Sequence, residues 1–208
     1  MSLEDIFNAV LNYQQDQIQQ QVQKELDRDA NVTDILNKGL IAAMDEVGKR
    51  FSENKLFIPE MLMAAKTMKS GMEVLRPLLS DSNVRTRGTV VLGAVKGDLH
   101  DIGKNLVAML LEGAGFNVVD LGVDVDTEQF LSAAAENQAE IIGMSALLTT
   151  TMPTMRITVS AIKEKGANVK TMVGGAPVTQ EFADQIGADG YSIDAVKAVQ
   201  KAKELLAR

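Results

Sequence analysis

Apolar positions return every three or four residues along the first 84 positions of the chain. Leu36, Leu40, Met44, Val47 and Phe51 form one stripe, and Met61, Ala65, Met68, Met72, Leu75 and Leu79 form another. Ile6, Val10 and Leu11, then Ile18, Val22 and Leu26, supply shorter stripes upstream. Asn31 is placed to cap a helix with its side-chain oxygen, and Pro59 suits a first turn, where no backbone donor is needed. Together these features predict a bundle of about four helices.

After the polar stretch from Ser80 to Gly88 the periodicity changes. Short β-rich runs at Thr89–Val95, Asn117–Leu121, Glu140–Ser145 and Val169–Gly174 alternate with helical patterns, and a weaker fifth run lies near Gly190-Tyr191-Ser192. Such alternation signals parallel strands joined by crossover helices. The expected fold is therefore α/β: an N-terminal four-helix-bundle domain over residues 1–84, followed by a flavodoxin-like, doubly wound, parallel five-stranded sheet over residues 88–208. Folds of this kind bind ligands beyond the carboxyl ends of their strands.

Three loops follow predicted strands and so open on one edge of that sheet. The first is Gly97-Asp98-Leu99-His100-Asp101-Ile102-Gly103, which carries the chain's single histidine. Asp98 is near enough to hold the ring through its second nitrogen, as carboxylates do for metal-ligating histidines. The second loop, Ser145 to Thr151, carries four hydroxyls, and the third holds Gly174-Gly175. Paired glycines permit close approach of backbone to a bulky group. Singly, each loop has an ordinary reading: a satisfied histidine at a strand end, a helix N-terminus, a turn.

Composition narrows the chemistry. A net charge of −7 provides no basic stripe for nucleic acid. The absence of cysteine excludes disulfides, iron–sulfur clusters and thiolate metal sites, and fits a reducing compartment. Acidic residues at Glu4 and Asp5 do not suit a signal peptide, and no apolar run nears the roughly 18 residues needed to cross a bilayer. The expectation is a cytoplasmic protein without a membrane or nucleic-acid partner.

The ordered pattern D-x-H-x-x-G, S-x-L and G-G resembles the corrinoid proteins of cobalamin-dependent methyltransferase systems, over nearly the whole chain. The resemblance implies a helical cap domain and a cobalamin-binding domain. It implies base-off/His-on cobalamin, with His100 as the lower cobalt ligand, Asp98 orienting it and Gly103 letting the loop turn close to the corrin. Ser145, Leu147, Gly174 and Gly175 match positions around the displaced nucleotide tail, and Thr151 matches a hydroxyl that extends the His–Asp chain. Ala146 departs from a common glycine by one methyl group. A bulky residue at Gly175 is expected to block corrinoid uptake while the fold survives. Phe51 and Ile58 align with apolar residues that shield the upper face, although Phe51 also belongs to a core stripe.

By the same resemblance the chain carries a methyl group in a Co(I)/methyl-Co(III) cycle. Its implied partners are a substrate-specific methyltransferase, a second methyltransferase acting on tetrahydrofolate or a thiol, and a reductive activator. Methylamines, methanol, methoxylated aromatics and betaines all remain open as donors. The alternative is a cobalamin-binding sensor or regulator, which would need a DNA-binding segment. A response-regulator-like receiver would need an aspartate where Ser145 stands. An FMN carrier would need a hydroxyl-rich loop where Lys96-Gly97-Asp98 stands, and a zinc site lacks ligands.

Overall fold

A computed structural model describes residues 3–79 and 86–207. The predicted junction at residues 80–85 and the side chain of Leu79 lie outside the described residues. The chain divides into two compact units, residues 1–85 with 112–115, and residues 86–111 with 116–208.

The first unit is helical: α1 (Leu3–Leu11), α2 (Gln15–Leu26), α3 (Val32–Asp34), a π-helical segment (Ile35–Ile41), α4 (Ala42–Ser52) and α5 (Ile58–Leu79). Because α3, the π segment and α4 run on without a break, these make four rods, as the apolar stripes require. Asn31 caps the third rod, its Oδ1 accepting from the N–H of Thr33 at 2.8 Å and of Asp34 at 3.4 Å. Ile6, Val10, Ile18, Val22, Leu40, Val47, Met68 and Leu75 are buried. The π segment was not foreshadowed by the stripe. There the wider turn buries Ile35, Leu36, Leu40 and Ile41 together, and a Cβ at Gly39 would stand 3.0 Å from Cγ2 of Ile6. Close approach of α1 thus selects glycine at that position.

The second unit contains β1 (Thr89–Ala94), α6 (Ile102–Gly113), β2 (Asn117–Asp120), α7 (Thr127–Glu136), β3 (Ile141–Ser145), α8 (Met152–Glu164), β4 (Lys170–Gly174), α9 (Gln180–Ile186), β5 (Gly190–Ser192) and α10 (Ala195–Leu206). All strand pairs are parallel, in the order β2-β1-β3-β4-β5. This is the flavodoxin-like order, with its switch point between β1 and β3. Side chains alternate across the sheet. Val91, Ile142, Met144 and Val173 join α7, α8 and α9 in a core around Phe130 and Met155. The opposite face, with Leu92 and Met172, looks toward α6 and α10. Asp126, Thr179 and Asp194 cap α7, α9 and α10 through their side chains. No helix among the described residues is long and apolar enough to cross a membrane.

Candidate cofactor-binding site

After β1 the chain runs on through Val95, whose N–H donates to the Ser145 carbonyl at 3.0 Å, and then turns at Gly97, where φ is +85°. The turn buries Asp98 completely beneath the loop while the His100 side chain stays 49% exposed. A histidine satisfied inside the fold would be covered, so the ordinary reading of D-x-H does not hold here. Oδ1 of Asp98 accepts from the His100 backbone N–H at 3.1 Å and lies 2.8 Å from Nδ1 of the ring. Oδ2 accepts from the Thr151 hydroxyl at 2.8 Å and from the N–H groups of Leu147 and Leu148 at 2.7 and 3.3 Å.

Burial alone would raise the Asp98 pKa. The N–H of Leu147, the ring and backbone N–H of His100 and the Thr151 hydroxyl outweigh it and hold the carboxyl well below the usual range. Asp98 is therefore an anion at neutral pH, and Nδ1 of His100 carries a hydrogen toward it. In the neutral ring this leaves the Nε2 lone pair as the free donor to a metal. Thr151 stands just before α8 but does not cap it. Its hydroxyl is engaged with Asp98 and the Leu148 carbonyl instead.

Beside the imidazole opens a cavity of about 530 Å³, bordered by His100, Gly103, Ser145, Leu147, Gly174 and Gly175 among others. These predicted residues come together with Asp98 and Thr151 at one edge of the sheet. Gly103 lies in the first turn of α6 rather than in the loop, and a Cβ there would meet nothing within 4 Å. The fold leaves that space open. At Gly175, by contrast, φ is +128° and a Cβ would sit 1.8 Å from the Ala146 carbonyl oxygen. The fold itself demands glycine here, so a bulky substitution would not leave the fold intact as the sequence suggested. Phe51 is partly buried near the end of α4, and Ile58, at the start of α5, is 49% exposed. Both belong to the first unit.

Sequence reasoning missed the supports of the histidine loop. Lys104 on α6 is buried, with Nζ 2.6 and 2.5 Å from the two Asp120 oxygens and 2.6 Å from Oδ1 of Asn105. Asp124 accepts from the Gly97 N–H at 2.8 Å and from Lys96 at 2.9 Å. The one available signal was a lysine in the first turn of α6, just ahead of its apolar stretch. Exposed Leu99, Ile102, Leu148 and Ile193 also belong to this edge, although periodicity gave them no place in the core.

Among the described residues no three of His, Cys, Asp and Glu gather around a metal position. A metal held by one protein nitrogen must bring its remaining donors with it, as a macrocycle does. The apolar rim and the vacant space at Gly103 fit a broad, flat, largely apolar ligand over His100.

Comparisons with known proteins give the family of both halves of the chain. The B12 binding domain family matches residues 88–200, and a second B12 binding domain family matches residues 2–76. The chain is 46% identical to dimethylamine corrinoid protein 1 of Methanosarcina acetivorans over 211 aligned residues, covering 99% of this chain and 97% of that protein. It is 42% identical to trimethylamine corrinoid protein 1 of the same organism, over 96% and 94% of the two chains. The methanol:cobalamin methyltransferase complex MtaBC of Methanosarcina barkeri superimposes with a TM-score of 0.87 at 32% identity, over 97% of this chain and 78% of that one. With matching family domains in both halves and relatives aligned almost end to end, this chain belongs to the B12-binding corrinoid proteins.

Proposed function

We propose that this chain binds a corrinoid through His100 and carries methyl groups between methyltransferases in the cytoplasm, with residues 1–84 as the cap and residues 88–208 as the corrinoid-binding domain. The observation that carries the reading is the pairing of a fully buried, five-fold hydrogen-bonded Asp98 with a half-exposed imidazole beside a deep cavity. Only a ligand approaching Nε2 gives that arrangement a use. When bound, the corrinoid supplies a cobalt centre able to accept and release a methyl group.

In this reading His100 would hold the corrinoid's cobalt through Nε2 in place of the cofactor's own base (base-off/His-on), and Asp98 fixes the ring's tautomer and direction. Thr151, sharing Oδ2 with two backbone N–H groups, holds the carboxylate still. Ser145, Leu147, Gly174 and Gly175 border the cavity that takes the displaced lower-base arm, and Gly103 leaves room for the ring system. Phe51 and Ile58 are assigned to shielding the upper face from water.

Relatives named for dimethylamine and trimethylamine support a methylamine-specific methyltransferase as the donor partner. A second methyltransferase acting on tetrahydrofolate or a thiol, and a reductive activator, complete the proposed set. The test is reconstitution with hydroxocobalamin. One corrinoid per chain is expected, with electron paramagnetic resonance of the Co(II) form showing a single nitrogen that His100→Ala removes. A colourless product, or the same nitrogen signal in the variant, contradicts the reading.

A further inference from the structure

The loop after β1 makes its first turn over residues 95–98. The N–H of Asp98 donates to the Val95 carbonyl at 2.9 Å, Gly97 has a φ of +85°, and Lys96 is not in the left-handed region. That combination is a type II turn. Types I and II differ by a flip of the central peptide, here Lys96–Gly97, and glycine in the third position tolerates either. The turn's own residues therefore do not fix which way the Gly97 N–H points. Asp124 settles it: its Oδ1 accepts from that N–H at 2.8 Å. A flipped peptide would turn its carbonyl oxygen toward the carboxylate instead.

Asp124 holds the far side of the turn as well. Its own N–H donates to the Asp98 carbonyl at 3.0 Å, so one residue grips the backbone on both sides of the Asp98 Cα. A parallel bridge between Val95 and Val125 sets the two segments side by side. Asp124 does this at a φ of +58°, uncommon outside glycine and kept where the surroundings over-determine it. Lys96 pairs with its second oxygen at 2.9 Å, but both side chains are exposed, which gives that contact little weight. Asp124 does not border the cavity.

We propose that Asp124 is a positioning residue for the cobalt ligand: by locking the turn at residues 95–98 it sets Asp98 under the imidazole and so fixes which nitrogen His100 offers. The inference rests on the function proposed above. The Asp98 carboxylate is held by donors of the loop after β3, and its backbone by Asp124 of the loop after β2. With the first set alone, the oxygens stay anchored while the chain that mounts them can rotate. The His100 N–H sits on Oδ1 of Asp98 at 3.1 Å, so rotation at the turn carries the ring with it.

The experiment compares the untagged full-length wild type with Asp124→Asn, Asp124→Gly and Asp124→Ala, with thermal melting to check the fold of each. Asparagine keeps an oxygen for the Gly97 N–H and loses the charge. Glycine removes the side chain and relieves the strain, whereas alanine removes the side chain and keeps the strain. In the apoprotein, a long-range proton–nitrogen NMR correlation of the single histidine tells which nitrogen of the neutral ring carries the hydrogen. We expect Nδ1 alone in the wild type and Asp124→Asn, and a mixture of tautomers in the glycine and alanine variants. Visible-absorbance titration should show hydroxocobalamin binding about three- to tenfold weaker in those two, the worth of one hydrogen bond. A wild-type tautomer or unchanged binding in Asp124→Gly, or an Asp124→Asn that behaves like it, overturns the assignment. A loss in Asp124→Ala alone traces to backbone strain and overturns it too. A wild-type chain that takes up no corrinoid overturns instead the reading beneath, while the tautomer still reports on the lock.

Discussion

The Thr151 hydroxyl donates to Oδ2 of Asp98 at 2.8 Å across 53 residues of sequence, on the oxygen opposite the one that faces His100. One carboxylate thus joins the loop after β1, which presents the imidazole, to the loop after β3, which borders the cavity. With every acceptor direction occupied, Asp98 has no freedom to follow a moving ring, and the imidazole is aimed before any ligand arrives.

Thr151→Val keeps the shape of the side chain and removes the donor. We expect a loss of about 1–2 kcal/mol in urea denaturation, the usual cost of deleting one hydrogen bond to a buried charge. Thr151→Ser, which retains the hydroxyl, should recover most of it. A valine variant as stable as the wild type would show that the two backbone N–H groups alone hold the carboxylate.

Acid should find this carboxylate late. Its folded pKa is depressed, so its contribution is complete above the unfolded value near 4 and fades as pH falls below that toward the folded value. Urea denaturation of the wild type from pH 7 down to about pH 2 should therefore include an acid-side loss. In Asp98→Asn that component should be missing, and the variant should be less stable at neutral pH because several donors lose an anionic acceptor. Parallel pH profiles for the two proteins would contradict the assignment.

Two glycines in one site should behave in opposite ways. Gly103→Ala adds a methyl group where nothing stands within 4 Å, on a helix that gains about 0.5–1 kcal/mol from alanine. Its melting temperature should hold or rise while hydroxocobalamin uptake weakens, because that space serves the ligand. Gly175→Ala forces a Cβ onto the Ala146 carbonyl oxygen and should cost more than about 3 kcal/mol, at the severe end for a point substitution. Melting curves beside uptake titrations separate the two cases.

The Lys104–Asp120 pair is lopsided, with the lysine side chain 1% exposed and the aspartate 39%. Removing the aspartate strands a buried ammonium, whereas removing the lysine leaves a carboxylate that water can reach. Asp120→Ala should therefore cost about 3–5 kcal/mol, and Lys104→Met clearly less. Equal losses in denaturant titrations would mean that the pair is solvated from both sides.

Local patterning determined much of this protein. Stripes at three- and four-residue steps, such as Met61, Ala65 and Met68, specify helices because burial of one face dictates spacing, and alternating β-rich and helical runs specify a parallel sheet. From that follows the common edge shared by Asp98, Ser145 and Gly174, since parallel strands all end on the same side. The motif residues of the sheet's edge were legible for the same reason: each lies at the end of a recognisable strand or a few positions beyond it. The π segment at Ile35–Ile41 was not legible, because the apolar positions Leu36 and Leu40 within it keep ordinary helical spacing.

What only the tertiary structure decided were contacts between separate segments, most of them made through backbone atoms that no side-chain pattern encodes. The two backbone donors that complete Asp98, the ion pair of Lys104 with Asp120, the Ala146 oxygen that demands glycine at 175 and the Gly97 N–H that meets Asp124 are all of this kind. Amide groups are common to every residue, so their placement is settled by how the strands pair and where the loops return. Hydrophobic spacing writes the elements into the chain; the positions of individual donors and acceptors exist only once those elements have packed.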